Sequence, residues 1–290
     1  MFGTFKKNTT TLLATTLLSC LATSAAQAVT LDEVKQRGTL RIAIANEIPY
    51  GYTDMSGDAK GAGPDVAKHI AEELGINNVE WVTTNFSSLI PGLQANRFDM
   101  VAAEMAILPD RCKQVIFSEP NSSYGEGLLV KQGNPKDIHA FEDFAKRDDL
   151  KVAIMAGADQ LDMLQALGVP ESRIVTLSSN ADAISTVATG RADAYAATSL
   201  TASELAKKGN NVDIVHNFTD PVVDGKEVRS WGAFTFNQDS QSLRDAVNEQ
   251  LTAYKQTDEW QSTLKQYGFT EADIEGSTAH STEELCSASQ

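Results

Sequence analysis

Basic side chains are scarce: 24 Lys and Arg stand against 39 Asp and Glu, leaving a formal net charge of −15. Nucleic-acid binding rests on Lys and Arg at phosphates, so no nucleic-acid partner is expected. An anionic membrane surface is disfavoured for the same reason. Only four histidines occur, His69, His139, His216 and His280, and they show no metal-ligand spacing. There is no G-x-x-x-x-G-K-S/T loop and no G-x-S-x-G elbow. Gly61-Ala-Gly63-Pro-Asp-Val lacks the third glycine of a dinucleotide fingerprint and follows a loop. No nucleophile, metal centre or cofactor is expected. Long apolar runs are also missing, so no segment is expected to insert into a bilayer.

What is present begins with a leader. Lys6 and Lys7 make a basic start, Leu12 to Ala22 is apolar, and Ala26-Gln27-Ala28 is a small-x-small cleavage site. Residues 1–28 therefore read as a signal peptide, with export to the periplasm. Cys20 in Leu17-Leu18-Ser19-Cys20 weakly resembles a lipoprotein box and leaves lipidation open. Two cysteines then remain, Cys112 and Cys286. In an oxidising compartment an isolated pair is most simply a disulfide.

Along the exported chain, Thr39–Ala45 reads as a strand and 46–63 as a Gly- and Pro-rich loop. A helix follows from Pro64 with apolar Val66, Ala67, Ile70, Ala71 and Leu74 at helical spacing. Strand 79–82, helix 87–95 and strand 98–103 complete a β-α-β-α-β order. That order predicts a parallel sheet with helices on its faces. In such sheets ligands bind beyond the C-terminal strand ends. The loops there carry Glu47, Tyr50, Phe86 and Glu104 to Arg111.

A second α/β unit follows: strands 151–155, 173–177, 192–197 and 212–216, helices 160–167, 180–189 and 201–208. Ser179 is read as an N-cap. Segments 125–131 and 230–236 are extended crossings, and two crossings between two lobes imply a hinge and a cleft. Helices 241–254 and 259–267 close the chain before a polar tail from Thr270. The expected division places residues 29–130 and 233–290 in the first lobe and 131–232 in the second.

Arg111 offers a rigid fork that matches a carboxylate at two points. Its bland role is a surface arginine that neutralises Asp110. Tyr50 and Phe86 are candidate π walls for a cation, or else core aromatics. Glu47 would pair with a positive group or cap a turn. Glu104 ends a buried strand, where a carboxylate either faces a ligand or pairs with a basic side chain. Asp159 either caps its helix or touches ligand, and the main chain from Gly157 to Gln160 offers N–H groups to an anion.

Six stretches are jointly specific: L-R-I-A-I-A-N-E-I-P-Y (40–50), G-A-G-P-D-V-A (61–67), I-P-G-L-Q-A-N-R-F-D (90–99), L-P-D-R-C-K-Q-V-I-F-S-E-P (108–120), T-G-R-A-D-A-Y (189–195) and Y-G-F (267–269). They resemble the periplasmic solute-binding proteins of polar amino acid ABC importers over essentially the whole mature chain. The resemblance implies a type II periplasmic-binding-protein fold, two α/β lobes joined by two hinge strands and closing over one ligand. It also implies a monomeric receptor with a membrane permease as partner, and a carboxylate held at Arg111.

Amino acid binders carry an aspartate shortly after G-R-x-D, and here that place is near Thr198. The closer resemblance is to ectoine/hydroxyectoine-binding proteins, whose acidic residue, two aromatic walls and arginine fall on Glu47, Tyr50, Phe86 and Arg111. Their third wall falls at about Ala106, so one wall is missing, and Glu104 stands where a small residue is expected. The implied ligand is a small zwitterionic solute, ectoine or hydroxyectoine. The rivals are a polar amino acid receptor, a sensory binding protein, and a periplasmic dehydratase on the same scaffold with Glu47 or Glu104 as acid or base.

Overall fold

A computed structural model describes residues 29–223 and 225–287, together with Met1 and Gly3. Apart from those two residues, the expected leader (1–28) and Cys20 lie outside the described residues.

The chain folds as two α/β lobes, each built on one sheet. In the first, strands β1 (Thr39–Ile44), β2 (Asn78–Thr83) and β3 (Met100–Ala106) run parallel with β1 in the middle. The connecting helix Ala62–Glu73 starts two residues before Pro64, which the first turn tolerates because its N–H groups have no intrahelical partner. It buries Val66, Ala67, Ile70 and Ala71 as the spacing requires. The chain then adds β4 (Val115–Phe117) and β5 (Ser122–Tyr124).

The second lobe holds β6 (Glu126–Lys131), β7 (Val152–Met155), β8 (Ile174–Leu177), β9 (Ala194–Thr198) and β10 (Val212–Ile214), in the order β8-β7-β9-β6-β10. The chain returns in β11 (Ser230–Asn237), which runs antiparallel beside β3, β4 and β5. The first sheet is ordered β2-β1-β3-β11-β4, with β5 also on β11.

Alternation along the strands splits each core between two faces. Ile42 joins Val66, Ile70, Phe234, Val247 and Leu251, whereas its neighbour Ala43 joins Leu89, Leu93, Phe98 and Phe117. In the second lobe Val152 and Ile154 face Phe141, Phe144 and Leu164, while Ala153 and Met155 face Tyr195, Ala183 and Val187. Burying one such aliphatic or aromatic side chain contributes about 1.5–3 kcal/mol.

The two crossings are short. Gly125 alone separates β5 in the first sheet from β6 in the second. The return crossing ends at Ser230, which already pairs with Tyr124. The chain therefore changes sheet at Gly125 and before Ser230, ahead of the expected boundaries at 130/131 and 232/233.

Short elements depart most from expectation. The 46–63 loop contains a hairpin, Tyr52–Thr53 with Ala59–Lys60. The Arg111 loop is a helical turn, Pro109–Cys112, and the polar tail forms helices Glu271–Gly276 and Thr282–Ser287. Helices this short draw their stability from packing rather than propensity, so periodicity does not reveal them. Asn180, not Ser179, occupies the N-cap of helix Ala181–Ala188, although Ser179 Oγ still accepts the Ala181 N–H at 3.0 Å. Among the described residues, no helix is long and apolar enough to cross a membrane.

Candidate functional site

The C-terminal ends of β1 and β3, the crossings and the ends of β7 and β9 converge on one space of about 30 Å³ between the lobes. That is well below the roughly 300–1,000 Å³ of small-molecule sites, so the lobes stand closed on each other and would have to part to admit a small molecule. Its lining includes Glu47, Tyr50, Phe86, Glu104, Arg111 and Asp159. Of the positions singled out from the sequence, only Gly157 lines no part of it and touches the site through Arg111.

Arg111 sits in the turn Pro109–Cys112 and is 8% exposed. Its Nη1 donates to Ala106 O (2.9 Å) and its Nη2 crosses the cleft to Gly157 O (3.0 Å). The guanidinium lies 5.6 Å from the Phe86 ring centroid, within cation–π range. Asp110 pairs instead with Lys113, so neutralising Asp110 is not the role of Arg111. The Cys112–Cys286 disulfide forms and anchors this turn to the last helix.

Glu47 leaves β1 in a tight loop in which it and Gly51 exchange both backbone hydrogen bonds (2.9 and 2.8 Å). Its Oε1 accepts the Thr201 hydroxyl from the second lobe at 2.8 Å. Burial pushes its carboxyl up to about 7, against the pull of Thr201 and Asn180, with the Asp159 charge adding to the rise. Tyr50 packs its ring on Tyr124 and Phe269, as a core aromatic does. Its hydroxyl nevertheless donates across the cleft to Thr198 Oγ1 (2.8 Å). Phe86 packs against apolar clusters of both lobes.

Two acidic positions line the cavity while their carboxylates bond to protein groups. Among the described residues, Glu104 forms an ion pair with no basic side chain. Its carboxylate accepts from Asn121 Nδ2 (2.6 Å) and Ser122 Oγ, both in its own lobe. Burial raises its pKa and those two bonds oppose the rise. Asp159 stands at the N-cap of helix Gln160–Ala166 but makes no side-chain cap bond. Its Oδ2 accepts the Ser230 hydroxyl at 3.1 Å, joining that helix to the return crossing.

Gly157 presents its carbonyl to Arg111, whereas an N–H toward an anion was expected. Its φ is +82°, and a Cβ there would stand 3.1 Å from Ser87 Cα, so glycine permits both the turn and the close approach of the lobes. The Ala158 N–H is also taken, by Met155 O at 3.1 Å.

The cavity has further walls that the sequence did not assign: Tyr124, Tyr195, Gln160, Met155 and Thr198. Tyr124 and Tyr195 bring the aromatic lining to four rings, although Ala106 offers none. Tyr195 closes the T-G-R-A-D-A-Y stretch and Tyr124 ends the strand before the first crossing, but nothing local marks either as facing a cleft. Behind Gln160 lies Glu126, whose Oε2 accepts from Gln160 Nε2 at 2.7 Å. Burial, then the neighbouring Asp159 charge, holds the Glu126 carboxyl well above the usual range.

This arrangement is a closed cleft with one guanidinium, several carboxylates and aromatic faces, which can hold a small molecule bearing both charges. Among the described residues no His, Cys, Asp and Glu cluster could hold a metal ion. Fold and site together define a two-lobed solute-binding protein.

The particular family emerges from comparison with known proteins. Residues 40–271 match the bacterial extracellular solute-binding proteins, family 3, and the chain belongs to that family. It is 57% identical over 277 residues to a probable amino-acid ABC transporter periplasmic-binding protein of Sinorhizobium fredii, covering 95% of this chain and 92% of the relative. EhuB in complex with hydroxyectoine superposes with a TM-score of 0.81 at 30% identity, covering 89% of this chain and 98% of EhuB. The ancestral amino acid-binding protein AncCDT-1, a precursor of cyclohexadienyl dehydratase, gives 0.71 at 32% identity, with 82% and 98% covered. The chain is thus a solute-binding protein of an amino-acid ABC transporter family, and not an enzyme.

Proposed function

We propose that the protein is a periplasmic receptor that captures a small zwitterionic compatible solute, ectoine or hydroxyectoine by preference, and delivers it to the permease of an ABC importer. Arg111 holds the solute carboxylate. Glu47, Tyr50 and Phe86 surround its delocalised cation, with Asp159 on the second-lobe side. The observation that carries this reading is one small cavity lined by a guanidinium, carboxylates and four aromatic rings. The likeness to the hydroxyectoine complex supports the choice of solute. In this reading the protein works as an exported monomer whose leader, residues 1–28, is removed. Its lobes turn about Gly125 and the segment before Ser230.

A second reading, a polar amino acid, is favoured by the naming of the Sinorhizobium fredii relative and by Asp159, a carboxylate on the second-lobe wall that suits an α-ammonium. A thermal-shift screen of the purified protein against ectoine, hydroxyectoine and the polar amino acids tests both. A ligand that binds only the native state raises the melting temperature. Shifts with the ectoines support the first reading. A shift with an amino acid and none with the ectoines replaces it with the second.

A further inference from the structure

Glu104 holds a backbone conformation that a glutamate seldom adopts. Its φ is +48°, in the left-handed region. Such residues persist where their surroundings over-determine them. Here the surroundings do so from several sides. Asn121 and Ser122 hold the two carboxylate oxygens, and the Tyr124 hydroxyl donates to the Glu104 carbonyl at 2.8 Å. Trp260 Nε1 donates to Asn121 Oδ1 at 3.0 Å, which turns the Asn121 amide so that its NH₂ faces Glu104.

The strained residue sits in a bulge. Along the β3–β11 ladder Val101 pairs with Thr235 and Met105 with Ala233, so residues 102–104 stand opposite Phe234 alone. The backbone of Phe234 is satisfied by Ser118 instead, whose Oγ accepts its N–H at 3.0 Å and whose N–H donates to its carbonyl at 2.9 Å. Neighbouring segments leave room for the bulge. A Cβ on Gly51 or Gly63 would come within 2.6 or 2.7 Å of Ala102 O, and one on Gly232 within 2.9 Å of Glu104. Bulges re-aim the strand residues next to them. Two residues on, the Ala106 carbonyl receives Arg111 Nη1.

We propose that Glu104 is a positioning residue: its carboxylate pins the bulge in β3 and so sets the Ala106 carbonyl that aims Arg111 into the cleft. All of these groups belong to the first lobe, so the device does not depend on closure. The proposal rests on Arg111 being the ligand anchor.

Glu104→Ala and Glu104→Gly separate this role from a structural one. Both remove the carboxylate, but only glycine relieves the strain at φ +48°, so the glycine variant should melt higher. Both should nonetheless lose affinity for ectoine alike, by at least about tenfold, as when a charge-assisted hydrogen bond is lost. If affinity instead tracks melting temperature, with the glycine variant near wild type, Glu104 is only structural and the proposal fails. A ligand-free arm reads the guanidinium directly by ¹⁵N NMR, with Arg111→Lys identifying its signals. Restrained Nη–H signals are expected in wild type and averaged ones in both variants. Averaged signals in wild type, or restrained ones in the variants, would overturn the proposal. Should ectoine not bind wild type, the solute assignment fails while this second arm still decides the role of Glu104.

Discussion

The two walls of the cleft are built differently. The first lobe contributes charged and aromatic side chains from short runs at strand ends: Glu47 and Tyr50 after β1, Phe86 after β2, Arg111 after β3. The second lobe bonds to them through hydroxyls and main chain, while adding Asp159 and Tyr195 to the lining. Thr201 bonds Glu47, Thr198 bonds Tyr50, and Gly157 O bonds Arg111. The first wall is stiffened by a disulfide beside its arginine, and its buried Glu104 is fully satisfied. The second carries Glu126, whose Oε1 has no hydrogen-bond partner among the described residues. Under the proposed function the difference amounts to a division of labour: a first wall, tied down by the disulfide, that selects the charge pattern and a second wall that latches over it.

Breaking the first wall should have the largest effects. The Cys112–Cys286 bridge spans a sequence separation of 174 residues. A Cys112→Ser, Cys286→Ser double variant should lose about 4–5 kcal/mol of stability in the chain-entropy model, measured by denaturant unfolding. A loss near zero would mean that packing alone fixes the Arg111 turn. Arg111→Ala should cost about 2–5 kcal/mol of ligand binding by calorimetry, as expected for one partner of a buried charge pair. Wild-type affinity in that variant would remove the selecting role from the first wall.

The latching wall should yield smaller changes. Thr201→Val removes the hydroxyl on Glu47 with little change of shape, and should weaken binding by about 1.5 kcal/mol, mainly through faster release. A loss equal to that of Arg111→Ala would erase the asymmetry between the walls.

Proton linkage sharpens the comparison further. The Glu47 carboxyl is raised from 4.5 to about 7, chiefly by burial. A raised carboxyl favours the closed, empty cleft below about 4.5, and that contribution is lost as pH climbs through about 7. A bound cation favours the ionised form, so binding expels the proton below about pH 7. Affinity for a cation-bearing solute should therefore rise between about pH 5 and 7, by at most about tenfold per unit, and level off above. Calorimetry in buffers of different ionisation enthalpy should register proton release at about pH 6 and little at about pH 8. A flat profile would show that Glu47 does not meet the cation.

Much of the framework was legible because it rests on short-range patterns. Val66, Ala67, Ile70 and Ala71 announced a helix, and the strands around it announced a parallel sheet whose loops meet at one edge. Glu47, Tyr50, Phe86 and Arg111 could be placed at the cleft edge because each comes after a strand in that order; what they hold belongs to the proposal. Glu104 was legible as an anomaly but not in its effect: its network draws on Asn121, Ser122 and Trp260, the last of them far along the chain. Asp159 could be read as a helix cap or a ligand contact, and only the fold brought Ser230 beside it. Tyr124 and Tyr195 looked like ordinary strand residues.

The sequence by itself determined what is encoded within a turn or two of chain: periodicity, strand ends, the charge pattern and the isolated cysteine pair. Only the tertiary structure decided where the chain changes sheet, which carboxylates face donors of their own lobe, and which carbonyls steer the arginine. The reason is physical. Apolar spacing acts through local geometry, whereas a buried polar group takes whichever partner the folded chain brings within about 3 Å, and such partners can lie about a hundred residues away.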